Sequence, residues 1–147
     1  MMKKALIFIL AAVHPASYAD GLGCASVGAS MELSLFDAIS KDLKIDPAAI
    51  QRDKTTVEVI NTATVSELYA ESLAKRDHKE SIDKGLATIP VRDYFSSYYE
   101  NNAQSITAKY TYTNVWGMKD IFIASSLMNK DECSIRFNGY LTLGREF

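Results

Sequence analysis

Ile106-Thr107-Ala108-Lys109-Tyr110-Thr111-Tyr112-Thr113 is the stretch of sequence that decides the fold. In it, apolar or aromatic residues alternate with threonine or lysine at every position. Successive side chains of a β-strand point to opposite faces, so this period of two predicts a strand with one buried and one solvated face. The strand therefore needs neighbours in a sheet and a layer that covers one side of that sheet.

The residues after Thr113 continue the sheet. Asn114-Val115-Trp116-Gly117 has the composition of a turn, and the alternation resumes after it. Further strands are predicted over Lys119 to Leu127, Cys133 to Phe137 and Tyr140 to Leu143, separated by a turn at Asn129 to Glu132 and by a bulge or turn at Gly139. Short connections of this kind favour an antiparallel meander.

The residues before this sheet are predicted to be mostly helical. Apolar residues recur in steps of three and four and predict a helix that ends before Asp46-Pro47; they are Val27, Met31, Leu35, Ala38, Ile39 and Leu43. Thr55 to Ile60 is β-branched and predicts a strand. Thr64-Val65-Ser66-Glu67 matches a capping box, which predicts a second helix with Val65, Leu68, Tyr69 and Leu73 on its apolar face.

Two segments between these elements have weaker patterns. Lys75 to Glu80 mixes charges of both signs and is interpreted as a solvated helix end or loop. Leu86 to Val91 contains Pro90, which restricts it to an edge strand or an extended loop. The predicted fold class is α+β, with N-terminal helices packed on a four- to five-stranded antiparallel sheet.

Composition bounds the class of protein. The chain has 147 residues, of which 48% are hydrophobic and 23% are charged, as in one ordinary globular domain. The formal net charge is −2, without the basic footprint of a non-specific nucleic-acid binder. We therefore expect no nucleic acid among the partners.

The first residues predict a signal peptide. Lys3-Lys4 precedes the nine apolar residues Ala5 to Val13, and Ser17-Tyr18-Ala19 offers small residues for cleavage after Ala19. The apolar run is about half the length of a membrane span, and lipidation at Cys24 is disfavoured by Gly21 three residues before it. We assign 1–19 to the signal peptide and 20–147 to a single α+β domain, which is periplasmic or, alternatively, secreted. Loss of Lys3 and Lys4 takes the net charge from −2 to −4.

Export makes a disulfide the preferred interpretation of the two cysteines, Cys24 and Cys133. Two free thiols or a redox pair are the alternatives, and the Cys-x-x-Cys spacing of a redox site is absent from the sequence. A bridge would fasten the start of the domain to its C-terminal half.

Motifs of catalysis do not stand out. The sequence has no Gly-x-Ser-x-Gly, phosphate loop or His-Glu-x-x-His. His78, Ser81 and Asp83 are too close along the chain to approach a substrate from different directions as a triad does. We expect no catalytic residue, metal or cofactor, although a pair of carboxylates brought together by the fold stays open.

Aromatic residues supply the candidate partner-binding site. Tyr94 lies in the same aromatic-rich stretch as Tyr98 and Tyr99, which lie beside Glu100, and Trp116 lies at a predicted hairpin tip. Tyrosine and tryptophan suit interfaces because each combines a large rigid ring with one polar group. The alternative is that the tyrosines are half-buried packing residues and that Trp116 folds back on the sheet.

The chain resembles the small periplasmic immunity proteins of bacteriocin producers, of the pesticin and colicin M types. The resemblance is carried by the signal with Lys3-Lys4, the Cys24/Cys133 frame and the order of helices before sheet. The resemblance implies an exported inhibitor, a monomer or small homo-oligomer, whose partner is a protein toxin or a cell-wall-active enzyme. A small secreted hydrolase that uses carboxylates, and an exported virulence or adhesion subunit, are the alternatives.

Export is testable directly. We expect N-terminal sequencing of the protein from cells to begin at Asp20, because the small residues before it fit a signal peptidase. Residues 1–19 fused to a reporter that is active only outside the cytoplasm should also give signal. Lys3→Glu/Lys4→Glu is the matched control and should reduce it. A native N-terminus at Met1, or a lipid on Cys24, would contradict the prediction.

Overall fold

The computed structural model describes residues 21–147, and the predicted signal peptide lies outside the described residues. The helices are α1 (Gly21–Ala25), α2 (Ser30–Asp42), α3 (Glu67–Asp83) and α4 (Val91–Tyr99). The strands are β1 (Thr56–Thr64), β2 (Gln104–Thr113), β3 (Lys119–Met128) and β4 (Arg136–Gly144). Two short 3₁₀ turns, Pro47–Ala49 and Arg52–Lys54, lie between α2 and β1.

The four strands form one antiparallel sheet in the order β1-β2-β3-β4. The alternation in β2 is confirmed, since Ile106, Ala108, Tyr110 and Tyr112 are all buried while the residues between them are half-buried. Their cross-strand neighbours on the same face include Phe122 of β3. This face and the buried residues Met31, Leu35 and Ile39 of α2 make the larger core. The predicted α+β class is therefore confirmed.

The first predicted helix begins later than expected. Gly28 has φ +87°, a left-handed backbone that an α-helix cannot contain, and α2 starts only at Ser30. Val27 is consequently outside the core, and the short α1, which the pattern did not predict, precedes it. The turn after α2 is as expected, because Asp46 Oδ1 accepts a hydrogen bond from Ala48 N–H at 2.9 Å.

The predicted capping box was wrong by two residues. Thr64 is the last residue of β1 and pairs with Gln104, whereas the N-cap of α3 is Ser66, whose Oγ accepts from Tyr69 N–H at 3.2 Å. The buried face of α3 consists of Ala70, Leu73 and Ala74, and the two alanines let α3 approach α4 closely. Leu68 and Tyr69, which were expected on this face, are exposed.

The weaker segments resolve into helix and loop. Lys75 to Glu80 lies inside α3, which continues to Asp83, and Leu86 to Pro90 is a loop without strand structure. The strands predicted over Cys133 to Phe137 and over Tyr140 to Leu143 are one strand, β4, which passes through a bulge at Gly139 with φ +114°. Cys133 precedes that strand instead of belonging to it.

The helices α3 and α4 form a hairpin that lies between β1 and β2 in the sequence. Their smaller core includes Leu127, which points to the face of β3 opposite to Phe122 and Ala124. Helices therefore cover one face of the sheet along its length and the other face only at one end. Among residues 21–147, none of the helices has the length and hydropathy to cross a membrane.

The predicted disulfide is confirmed. Cys24 and Cys133 are bonded, with Cα atoms 5.0 Å apart and 109 residues of sequence separation. Cys24 is buried in the larger core, so the bond fixes α1 to the loop between β3 and β4.

Removal of either sulfur should destabilise the domain by a similar amount. We expect Cys24→Ser and Cys133→Ser each to lower the free energy of unfolding by about 2–5 kcal/mol, because a closed loop of this length restricts the unfolded chain. The double variant should be no worse than the single variants, since both remove the same bond. Urea denaturation measures this, and strictly additive losses would contradict it.

Candidate partner-binding site

Trp116 lies at the tip of the hairpin that joins β2 to β3. Its side chain is 76% exposed, and that of Val115 beside it is 56% exposed. The ring does not fold back on the sheet, which was the alternative left open by the sequence. We call Val115 and Trp116 the hairpin tip.

The backbone under the hairpin tip is fixed by Asn114. This side chain is fully buried, and its Oδ1 accepts hydrogen bonds from the N–H groups of Trp116 and Met118, both at 3.0 Å. Asn114 N–H also donates to the Met118 carbonyl, and Gly117 N–H donates to the Asn114 carbonyl. Gly117 completes the turn with φ +80°. The turn therefore presents the Trp116 ring from a fixed position.

A buried carboxylate holds β2 just before this turn. Glu32 of α2 has no exposed surface, and its Oε1 accepts from the Tyr112 hydroxyl at 2.8 Å. Its Oε2 accepts from Arg52 Nη2 at 2.5 Å and from Gly28 N–H at 2.9 Å. Burial, and then the adjacent Glu32 charge, raises the pKa of the Tyr112 phenol far above its usual value, so Tyr112 remains a donor.

A second buried carboxylate holds the strand after the turn. Asp120 of β3 is fully buried, and its Oδ1 accepts from the backbone N–H groups of Glu146 and Phe147 at 2.8 and 3.2 Å. Arg145 Nε donates to Oδ2 at 3.2 Å. Both strands that carry the hairpin tip are thus tied to other parts of the fold. The carboxylates of Glu32 and Asp120 both accept hydrogen bonds from donors within the fold.

The four other predicted partner-binding residues lie at the opposite end of the sheet. Glu100 precedes β2 and Trp116 follows it, and the ten residues of that strand span about 30 Å. The structure therefore does not bring the five predicted residues into one surface.

Those four residues also differ in exposure. Tyr98 is buried and its hydroxyl donates to Asp77 Oδ2 at 2.8 Å, while the half-buried Tyr94 hydroxyl lies 3.1 Å from Ser81 Oγ. Both pack between α3 and α4. Tyr99 is 41% exposed and Glu100 is exposed, so these two lie on the surface.

Asp77 joins this helical hairpin to the sheet. The sequence did not predict this role, because Asp77 lies in the mixed-charge run Lys75 to Glu80, which was interpreted as solvated. Its two oxygens accept from Nε and Nη2 of Arg136 at 2.5 and 2.7 Å, a bidentate pair between α3 and β4. Desolvation raises the pKa of Asp77, but hydrogen bonds from Arg136 and Tyr98 and the charges of Arg136 and Arg76 outweigh it, so this pKa lies below its usual value.

The residues weighed for catalysis have separate partners. His78 Nδ1 lies 2.9 Å from the Ile89 carbonyl, Ser81 contacts Tyr94, and Asp83 pairs with Lys79. Within residues 21–147, no group of three or more histidine, cysteine or acidic side chains is arranged to hold a metal ion.

Comparisons of the chain with protein-family models, with curated proteins and with solved structures return no match. The fold and the site define a class of protein: a disulfide-linked α+β domain that presents an exposed tryptophan on an ordered hairpin turn.

The Asp77–Arg136 pair makes a pH-dependent contribution to stability. We expect Asp77→Asn to lower the free energy of unfolding by about 2–4 kcal/mol at neutral pH, because it leaves a largely buried guanidinium without its counter-charge. The folded-state pKa of Asp77 is below its unfolded value, so the wild-type advantage is present above about pH 4 and is lost as the pH falls through the folded pKa.

Urea denaturation between about pH 7 and pH 2 measures this difference. Asp83→Asn is the matched control on the same helix, since its pair with Lys79 is exposed and contributes little. A deficit in Asp77→Asn that stays constant over the whole pH range would contradict the assignment.

Proposed function

We propose that this chain is a binding protein that inserts Trp116 into a pocket of a protein partner. The observation that carries the proposal is a ring exposed over three quarters of its surface on a turn whose backbone is fixed by a buried asparagine. Tryptophan is among the residues that most often dominate binding energy when a partner desolvates them. A turn that is already ordered loses little conformational freedom on binding, so more of that energy appears as affinity.

Within this class, we infer an exported immunity or inhibitor protein, periplasmic or secreted, that neutralises a toxin or a cell-wall-active enzyme. One observation supports the inference, the disulfide, which is typical of oxidising compartments. Two expectations from the sequence agree with it: the predicted signal peptide and the resemblance to bacteriocin immunity proteins. A net charge of −4 after signal removal favours association with a basic substrate cleft, because opposite charges accelerate encounter.

Trp116→Ala separates binding from folding. Cells that express the wild-type chain should survive a cognate toxin from a panel of cell-wall-active bacteriocins and muramidases, and cells with Trp116→Ala should not. We expect the variant to lose about 30- to 1,000-fold in affinity by calorimetry, as a central anchor does. Its melting temperature should stay within about 2 °C of wild type, because truncating an exposed side chain leaves no cavity.

Tyr99→Ala is the matched control, since it removes an exposed aromatic ring at the other end of the sheet. Trp116 is the single tryptophan of the chain, so fluorinated tryptophan gives one fluorine resonance that should shift on binding. Protection that depends on Tyr99 and not on Trp116 would place the interface on the helical hairpin. A chain that protects against no member of such a panel would contradict the inhibitor proposal.

A further inference from the structure

The α3–α4 hairpin is held together by contacts between its own two helices. The Tyr98 hydroxyl of α4 donates to Asp77 Oδ2 of α3 at 2.8 Å, and the hydroxyls of Ser81 and Tyr94 lie 3.1 Å apart. The rings of His78 and Tyr94 meet edge to face, with their centroids 6.2 Å apart. Each of these contacts joins α3 to α4, so the two helices form one cohesive unit.

Few contacts join this hairpin to the sheet. Within residues 21–147, no backbone hydrogen bond runs from 67–99 to a strand. The side-chain hydrogen bonds between the hairpin and the strands are the two that Arg136 of β4 donates to Asp77 of α3. The apolar contacts form a small core separate from the larger one, and the strands contribute the fully buried Leu127 to it.

Two short linkers connect the hairpin to β1 and β2. They are 65–66 and 100–103, and Val65 N–H donates to the Ala103 carbonyl at 3.0 Å. This bond joins the two linkers beside the sheet, so the helices beyond it can leave without breaking the β1–β2 pairing. In the second linker, Asn101 and Asn102 both have φ +57°, a left-handed backbone that is unfavourable for residues other than glycine. Release of the hairpin frees both residues from that conformation.

We propose that the α3–α4 hairpin leaves the sheet and unfolds as one unit while the larger core stays folded, and that the Asp77–Arg136 pair holds it closed. Away from the sheet, helices of 17 and 9 residues have too little packing to persist, because short helices in water depend on tertiary contacts. Release therefore unfolds both helices together, as a cooperative unit within the fold. The open form exposes Leu127 on the sheet face that also carries Ile123 and Leu141, which lengthens the apolar surface of that face.

Native-state hydrogen exchange of residues 20–147, followed by NMR at low urea concentrations, tests this unit. The hydrogen-bonded amides of α3 and α4 should share one opening equilibrium and, corrected for intrinsic rates, exchange at least about tenfold faster than those of β2 and β3. Asp77→Asn should accelerate exchange in both helices by at least about tenfold, because it leaves Arg136 without its counter-charge. Asp83→Asn is the matched control on the same helix, since its pair with Lys79 is exposed, and it should leave both helices unchanged.

Ile39→Val separates this opening from global unfolding. Ile39 is fully buried in the larger core, to which the hairpin does not contribute. The substitution should accelerate exchange in β2 and β3 by about two- to tenfold and leave α3 and α4 unchanged. Helices that exchange no faster than the strands, different opening equilibria for α3 and α4, or helices that respond to Ile39→Val as the strands do would each overturn the proposal.

Discussion

The carboxylate of Glu32 is the constraint around which the larger core is arranged. A charge without solvent exposure is tolerated only when it is paired and hydrogen-bonded, and here the partners come from three separate segments: Gly28, Arg52 and Tyr112. The start of α2, the 3₁₀ turn before β1 and the end of β2 must therefore meet at one point. Arg52 also lies over the Phe36 ring at 4.1 Å, which extends the contact along α2.

The disulfide and the Asp77–Arg136 pair act at the other end of the sheet. Cys133 belongs to the loop that leads into β4, and Arg136 is the first residue of that strand. One bond therefore fastens this region to α1, and the other fastens it to α3. Because the α3–α4 hairpin covers only the end of its sheet face, this ion pair and the contact of Leu127 carry much of its attachment.

The strands could be predicted from the sequence because their signal is local. Alternation in β2, the turn at Asn114 to Gly117 and the two cysteines each depend on neighbouring residues or on compartment chemistry. The start of α2 is set instead by the left-handed backbone of Gly28. The buried face of α3 is set by the side chains that allow α3 to approach α4 closely. Glu32 and Asp77 were hidden because an acid in a helix is ordinarily solvated, and their partners are 20 and 59 residues away.

The turn from Asn114 to Gly117, which carries the hairpin tip, has two unfavourable features that folding alone does not require. Trp116 leaves most of a large ring in water, and the Nδ2 of the buried Asn114 has no hydrogen-bond partner within the described part of the chain. A tight Asn-Gly turn would connect β2 to β3 without either feature. Proteins that satisfy their local rules elsewhere tend to break them where they function. Both features lie in one turn, whose two strands are held by the carboxylates of Glu32 and Asp120. This favours the hairpin tip over Tyr99 and Glu100 as the binding surface of the proposed function.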